Sequence, residues 1–266
     1  AGWIRGVCSG ARGRWGWEGR VRSEAGRAVV VGGAGVRYLG NRPAEAKWLA
    51  DAEKRLLGRD IAADNRGKES SPHAIATVFR NGRVWFMSLI YFAFVTGQYG
   101  LTFWMPTIVK ASGVQGNFNI GLISAIPFVC AAIVMVLLGL SADRMRERRW
   151  HLIIPALIGA AGFVVSANAG STTLAVAALS VAAAGVLTCS PLFWSLPTAF
   201  LSGAGAAAGI ALINSVGNLA GFVSPYVIGA LRDATGSTAT GLYALAAMLV
   251  VGSVCVFVTP ARMVNR

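Results

Sequence analysis

The chain is poor in charge over most of its length. Asp, Glu, Lys and Arg make up only 13% of its 266 residues. Residues 1–83 hold 16 of the 24 basic and 8 of the 11 acidic side chains, so residues 84–266 carry just 8 and 3. Between Leu174 and Leu231 no Asp, Glu, Lys, Arg or His occurs. A soluble domain needs ionic groups to cover its surface, and that composition argues against one here. Histidine is confined to His73 and His151, and Cys8, Cys130, Cys189 and Cys255 stand far apart with no C-x-x-C pair. No metal set or redox centre is expected from that supply, and no cofactor. Neither a nucleophile–base pair nor a phosphate-binding loop is present, so an enzyme is not expected. No carboxylate falls inside an apolar segment, so no residue here is an evident proton carrier. The net charge of +13 would suit nucleic acid, but the basic residues are mixed with acids and form no binding motif; nucleic acid is not an expected partner.

What is abundant is apolar. Hydrophobic residues make up 55% of the chain, and the mean hydropathy is +0.59. Residues 1–37 are rich in Gly, Arg, Ala and Val, with Trp3, Trp15 and Trp17 scattered among them and no Lys or Asp. They carry no signal-peptide pattern and read as a non-native or disordered start. Residues 38–83 change in texture: Pro43 stands at a candidate helix start, followed by Ala, Glu, Lys and Leu of both charge signs. This predicts an amphipathic helix and then a polar linker through Pro72.

Residues 84–260 follow as six apolar segments, near Val84–Val109, Ile120–Leu140, Trp150–Asn168, Thr173–Leu196, Ala204–Leu231 and Leu242–Val258. Each approaches the roughly 20 residues that a bilayer-spanning helix needs, and helices are required because backbone groups in hydrocarbon must pair internally. The fold class expected is therefore an all-α membrane protein with six transmembrane helices in a lipid bilayer. Short connections make neighbours antiparallel. Arg144, Arg146, Arg148 and Arg149 then share one side with the preceding linker and the tail 261–266, while Lys110 and Arg232 lie on the other. The excess of positive charge predicts that the linker and the C-terminus are cytoplasmic.

Several stretches resemble one family. GLSADRMRERRWH at 139–151 is similar to the Gly-x-x-x-Asp-Arg-x-x-Arg-Arg loop of major facilitator superfamily transporters, in its second-half position. YGLTFWMPTIVK at 99–110 and residues 193–237 resemble the anion:cation symporter branch, which includes tartrate, phthalate, galactonate and hydroxyphenylacetate permeases. NRPAEAKWL at 41–49 is similar to the central cytoplasmic loop of that branch. The resemblance implies that the six segments are the C-terminal bundle of a twelve-helix fold, and that the charged residues for substrate and proton belong to a missing N-terminal six-helix half. It also implies a bacterial inner-membrane location.

Polar residues retained in spans are costly and usually face a bundle interior or a cavity. Tyr91 and Gln98 lie seven residues apart on one face, with Tyr99 beside them. Gly97 and Gly100 are expected to loosen that helix; Tyr91 and Tyr99 also fit as packing or interface residues. Ser190 and Trp194 form an i,i+4 pair beside Pro191 and Pro197, where the indole can stack on a substrate. Asn214 and Asn218 form another such pair, beside Gly217 and Gly221; the amides read as donors to a carboxylate or hydroxyl, or as interhelical bonds, and the glycines as a close helix contact. The candidate substrate residues are thus Tyr91, Gln98, Ser190, Trp194, Asn214 and Asn218. The loop motif implies a cytoplasmic gating set of Gly139, Asp143, Arg144 and Arg148, with Asp143 meeting a neighbouring helix N-terminus and the loop arginines in one state only. The function expected is proton-coupled import of a small organic acid by alternating access. Two alternatives stay open: a non-transporting fragment of an interrupted permease gene, and a half-transporter that needs a partner chain.

Overall fold

A computed structural model describes residues 15–38, 48–65, 78–201 and 203–260. Within the first unit, residues 1–70, two helices occur: α1 (Trp15–Tyr38) and α2 (Asp51–Asn65). Helix α1 covers much of the stretch expected to be irregular. Its Ala, Arg, Glu and Val content tolerates a helix despite Gly26, Gly32, Gly33 and Gly35, and Val29, Val30 and Val31 are exposed on it. Helix α2 is the charged helix expected after Pro43. Asp51 and Glu53 occupy its first turn, and the Glu53 carboxylate accepts from the Ala50 N–H at 3.0 Å, which satisfies one of the N-terminal donors and suits the helix dipole. The expected linker and tail at 66–77 and 261–266, the stretch 39–47, and Cys8 lie outside the described residues.

The second unit, residues 71–266, holds eight helices among its described residues: α3 (Gly82–Ala111), α4 (Asn117–Met145), α5 (Arg149–Ala167), α6 (Thr172–Phe193), α7 (Ser195–Phe200), α8 (Gly203–Asn218), α9 (Ala220–Thr235) and α10 (Ala239–Val258). They make six spans long and apolar enough to cross a membrane, with α6–α7 and α8–α9 each serving as one interrupted span. The spans fall on the six segments expected. The chain starts α3 at one end, here the loop end, and the successive spans run alternately. The α4–α5 turn, α7 and the end of α10 return to the loop end, and the α3–α4, α5–α6 and α9–α10 turns lie at the far end.

Local chemistry sets the boundaries. Asn81 caps α3 by accepting from the Arg83 N–H at 2.9 Å, and Ser171 caps α6 by accepting from Leu174 at 3.3 Å, as short polar residues do at helix starts. The span of α6 breaks at Trp194 because Pro197, four residues after Phe193, has no N–H for the Phe193 carbonyl and its ring crowds that turn. The freed end is tied by the Ser195 hydroxyl, which donates to the Leu192 carbonyl at 2.7 Å. The break at Leu219 between α8 and α9 is flanked by Gly217 and Gly221, each costing a helix about 1 kcal/mol relative to Ala.

Helix α3 is the axis of the bundle. In its most apolar stretch 67% of residues are buried, against 22% for α4 and for α8–α9. Ile90, Phe94, Leu101 and Met105 of α3 join Leu152 and Phe163 of α5, Leu179 and Phe193 of α6, and Leu245 and Leu249 of α10 in one core. Helices α5 and α6 meet along a seam of small residues: a methyl on Gly162 would sit 2.7 Å from the Ala182 nitrogen, and one on Gly185 would sit 2.8 Å from Gly159 Cα. Membrane helices associate largely by such close packing.

The glycines of α3 do not loosen it, contrary to expectation; the helix is continuous from Gly82 to Ala111. Gly100 instead makes room for neighbours, since a methyl there would lie 2.5 Å from Leu245 Cδ2 and 2.8 Å from Ser224 Oγ. That hydroxyl donates across the interface to the Thr96 carbonyl at 2.8 Å. At the far end, the Thr172 hydroxyl donates to the Ser112 carbonyl, Tyr243 donates to Asn168 at 2.9 Å, and the Arg232 guanidinium lies 5.4 Å over the Trp104 ring. Trp104 is half-buried against that cation.

Candidate functional site

Helices α3, α6 and α8 bring four of the six candidate substrate residues together. Tyr91 lies nine residues into α3, ~14 Å at 1.5 Å per residue, and is 7% exposed. Its ring stacks on Phe193 at 4.9 Å and meets Trp194 edge-on at 4.8 Å; Phe193 and Trp194 are 5.6 Å apart. Offset and edge-to-face pairs of this kind add rigidity beyond area burial. Trp194 keeps helical backbone angles at the interruption (φ −64, ψ −17), and its indole is half-buried.

Gly217 joins this aromatic wall to α8. A methyl on it would fall inside the Tyr91 ring, 2.8 Å from Cε1, so only a glycine lets the ring lie against the helix. Asn214, on the same face three residues earlier, is exposed, and so is Asn218. The Asn218 amide nitrogen donates to both the side-chain oxygen and the backbone carbonyl of Asn214 at 2.8 Å. Its own oxygen accepts from the Tyr99 hydroxyl at 3.1 Å. Gly221 admits the Tyr99 ring as Gly217 admits Tyr91, with a methyl placed there 3.1 Å from Tyr99 Cε2. The expected close contact at these glycines is thus between glycine and tyrosine rings.

Gln98 and Ser190 are half-buried on the same helices, but their side chains make no hydrogen bond to any described residue. The Gln98 carbonyl accepts from the Thr102 hydroxyl at 2.8 Å. Neither residue is tied to the other four. Tyr99 stands outside the six candidate substrate residues; its signal in the sequence was a phenol one residue from Gln98. The arrangement offers an aromatic face, amide N–H groups and no charge among the residues named, at mid-span depth.

The gating residues lie at the loop end. Asp143, on the last turn of α4, pairs with Arg148 at 2.7 Å. Arg146 takes a left-handed conformation (φ 50) at the end of α4, which turns the chain into α5 within three residues. Glu147, not Asp143, caps the start of α5: its carboxylate accepts from the Trp150 N–H at 3.0 Å and lies 3.2 Å from His151 Nδ1. Glu147 precedes α5 by two residues and reaches its first amides directly, whereas Asp143 still belongs to α4. His151 Nε2 is 3.1 Å from the Ser141 hydroxyl. Arg144 is exposed, and a methyl on Gly139 would meet nothing within 4 Å. Arg149 donates to the Phe257 carbonyl and stacks 4.8 Å over its ring, which fastens α5 to the end of α10. Among the described residues, no group of His, Cys, Asp and Glu could hold a metal.

Six spans long and apolar enough to cross a membrane, with a polar, uncharged cluster at mid-depth, mark a multi-pass membrane protein. The sequence pattern of the Major Facilitator Superfamily matches residues 13–225, and the chain belongs to that family, whose members are transporters and not enzymes. It is 38% identical over 267 residues to the putative metabolite transport protein NicT of Pseudomonas putida, covering 100% of this chain and 61% of that protein. It is also 38% identical over 245 residues to a putative tartrate transporter of Agrobacterium vitis, covering 92% and 54%. The inner membrane transport protein RhmT of Escherichia coli is 34% identical over 249 residues, covering 93% and 57%. The chain thus spans between half and two-thirds of the length of these relatives. Among solved structures, the fucose:proton symporter of Escherichia coli superposes with a TM-score of 0.64 at 20% identity, over 71% of this chain and 45% of that one. That likeness is one of fold.

Proposed function

We propose that the six spans form the C-terminal bundle of an anion:cation symporter and that the cluster around Gly217 binds a small organic acid, a carboxylate or sugar acid. The observation that carries this reading is the contact of Tyr91 and Trp194 beside the linked amides of Asn214 and Asn218. An aromatic wall next to amide donors suits a ligand with an apolar or hydroxylated body and an acceptor-rich end. The absence of a cation among these residues fits an acid whose main charge is met by an N-terminal six-helix half, which would also hold the proton-carrying carboxylate. Transport would proceed by alternating access, the two bundles rocking about this site. Gly139, Asp143, Arg144 and Arg148 would latch the loop end in one of the two states. The arginines at 144, 146, 148 and 149 support a cytoplasmic loop end and C-terminus in a bacterial inner membrane, against Lys110 and Arg232 at the far end. The tartrate named for one relative is the first probe to use. Proteoliposomes holding this chain with a matching N-terminal half should accumulate L-tartrate under an inward proton gradient, and Asn214→Ala should weaken uptake about tenfold, as the loss of a hydrogen bond to a charged ligand does. Uptake and binding unaffected by Asn214→Ala would refute the site.

A further inference from the structure

The hydrogen bonds around Asn218 run in one direction, and that direction is fixed by chemistry. The backbone carbonyl of Asn214 can only accept, so the Asn218 atom 2.8 Å from it must be the amide nitrogen. The same nitrogen lies 2.8 Å from the Asn214 side chain. Two amide nitrogens cannot bond to each other, so the facing atom is the Asn214 oxygen. The Asn218 oxygen is then left for the Tyr99 hydroxyl, which donates at 3.1 Å. At the open end of the chain, the Asn214 amide nitrogen makes no hydrogen bond to any described residue, while its oxygen is occupied, and the side chain is exposed.

We propose that Tyr99 is a positioning residue that determines specificity: through Asn218 it turns Asn214 so that N–H groups, and not a carbonyl, face the ligand. The site therefore favours a carboxylate, whose two charged oxygens both accept, over an isosteric primary amide, which offers one neutral acceptor and turns an N–H toward the same donors. This rests on the binding site proposed above. Tyr99 is held for the role by Gly221, whose missing side chain admits the ring edge. Loss of the phenol leaves the Asn218 oxygen unpaired and the Asn214 backbone carbonyl as the pair's remaining anchor, so the orientation loosens and the Asn214 carbonyl reaches a ligand part of the time.

The test measures binding of radiolabelled L-tartrate by equilibrium dialysis to this chain reconstituted with a matching N-terminal half, with L-tartramide as competitor. The original chain should prefer the acid. Tyr99→Phe keeps the ring in its notch and should lower the acid-to-amide preference about fivefold, the equivalent of one ordinary hydrogen bond, with an unchanged melting temperature. Gly221→Ala, which displaces the ring by a few tenths of an ångström, should lower it less and in the same direction. A merely structural tyrosine would weaken both ligands equally. If Asn214→Ala removes the preference while Tyr99→Phe leaves it intact or weakens both ligands alike, the relay is overturned and the site stands. If the reconstituted protein binds neither ligand, or Asn214→Ala leaves L-tartrate binding unaltered, the site itself is overturned and the relay with it.

Discussion

Gly185→Ala should be the most damaging single methyl addition in the bundle. The new carbon would overlap the Pro155 carbonyl and lie 2.8 Å from both Cα and N of Gly159, about 1 Å inside ordinary carbon contact. The obstructing atoms are backbone, so no side chain can rotate away, and α5 and α6 must move apart along their whole seam. Overpacking a well-filled interior costs about 1–3 kcal/mol, and with no flexible neighbour the upper end applies, about 3 kcal/mol. At roughly 2–4 °C per kcal/mol for a chain of this size, the melting temperature in detergent should fall by roughly 6–12 °C. Gly139→Ala supplies the control, because a methyl there meets nothing and Ala favours helix by about 1 kcal/mol over Gly; its melting temperature should hold or rise. Followed by tryptophan fluorescence on heating, equal melting of the two variants would refute the claim that the seam depends on close backbone approach.

Two further outcomes are expected. Arg149→Ala removes both the bond to the Phe257 carbonyl and the stacking on its ring, which should cost about 1–2 kcal/mol and speed amide exchange over Val254–Val258, while Arg149→Lys should recover only part of the protection. Asp143→Asn breaks an exposed ion pair worth about 1 kcal/mol or less, so melting should barely change; a drop comparable with that of Gly185→Ala would show that the pair holds the bundle together and is no latch.

The six spans were legible because hydropathy over a bilayer length is a strong one-dimensional signal, and their ends moved by only a few residues at Asn117, Met145 and Gly82. The interruption at Trp194 was foreshadowed by Pro191 and Pro197, but only the structure identifies Pro197 as the cause. The glycines were harder to read. Gly97 and Gly100 look in sequence like points of weakness, yet their role depends on what stands opposite, Leu249 and Val186 for the first and Leu245 and Ser224 for the second, and no local pattern encodes that. Pairing Tyr91 with Gly217 and Tyr99 with Gly221 required knowing that α3 lies along α8 and α9, across more than a hundred residues. The orientation of Asn214 was beyond sequence for the same reason, since it follows from a phenol on another helix. The cap that Glu147 makes on α5 was not legible in the loop motif, which gives spacing and not the turn that Arg146 introduces.

The central position of α3 bears on how the chain enters the membrane. It is the first of the six spans to be synthesised and also the least apolar of them, because its polar face is meant for protein and not for lipid. At that moment none of the other five spans of this bundle exists. Thr96, Gln98 and Tyr99 must face lipid, or be sheltered by the insertion machinery or by segments made earlier, until α6 and then α8 to α10 emerge to cover them. Partition into the bilayer favours α4, the most apolar span, so α4 can anchor the nascent chain while α3 waits. The residues that give the mature bundle its polar cluster thus make its first helix dependent on its last ones for a stable place in the membrane.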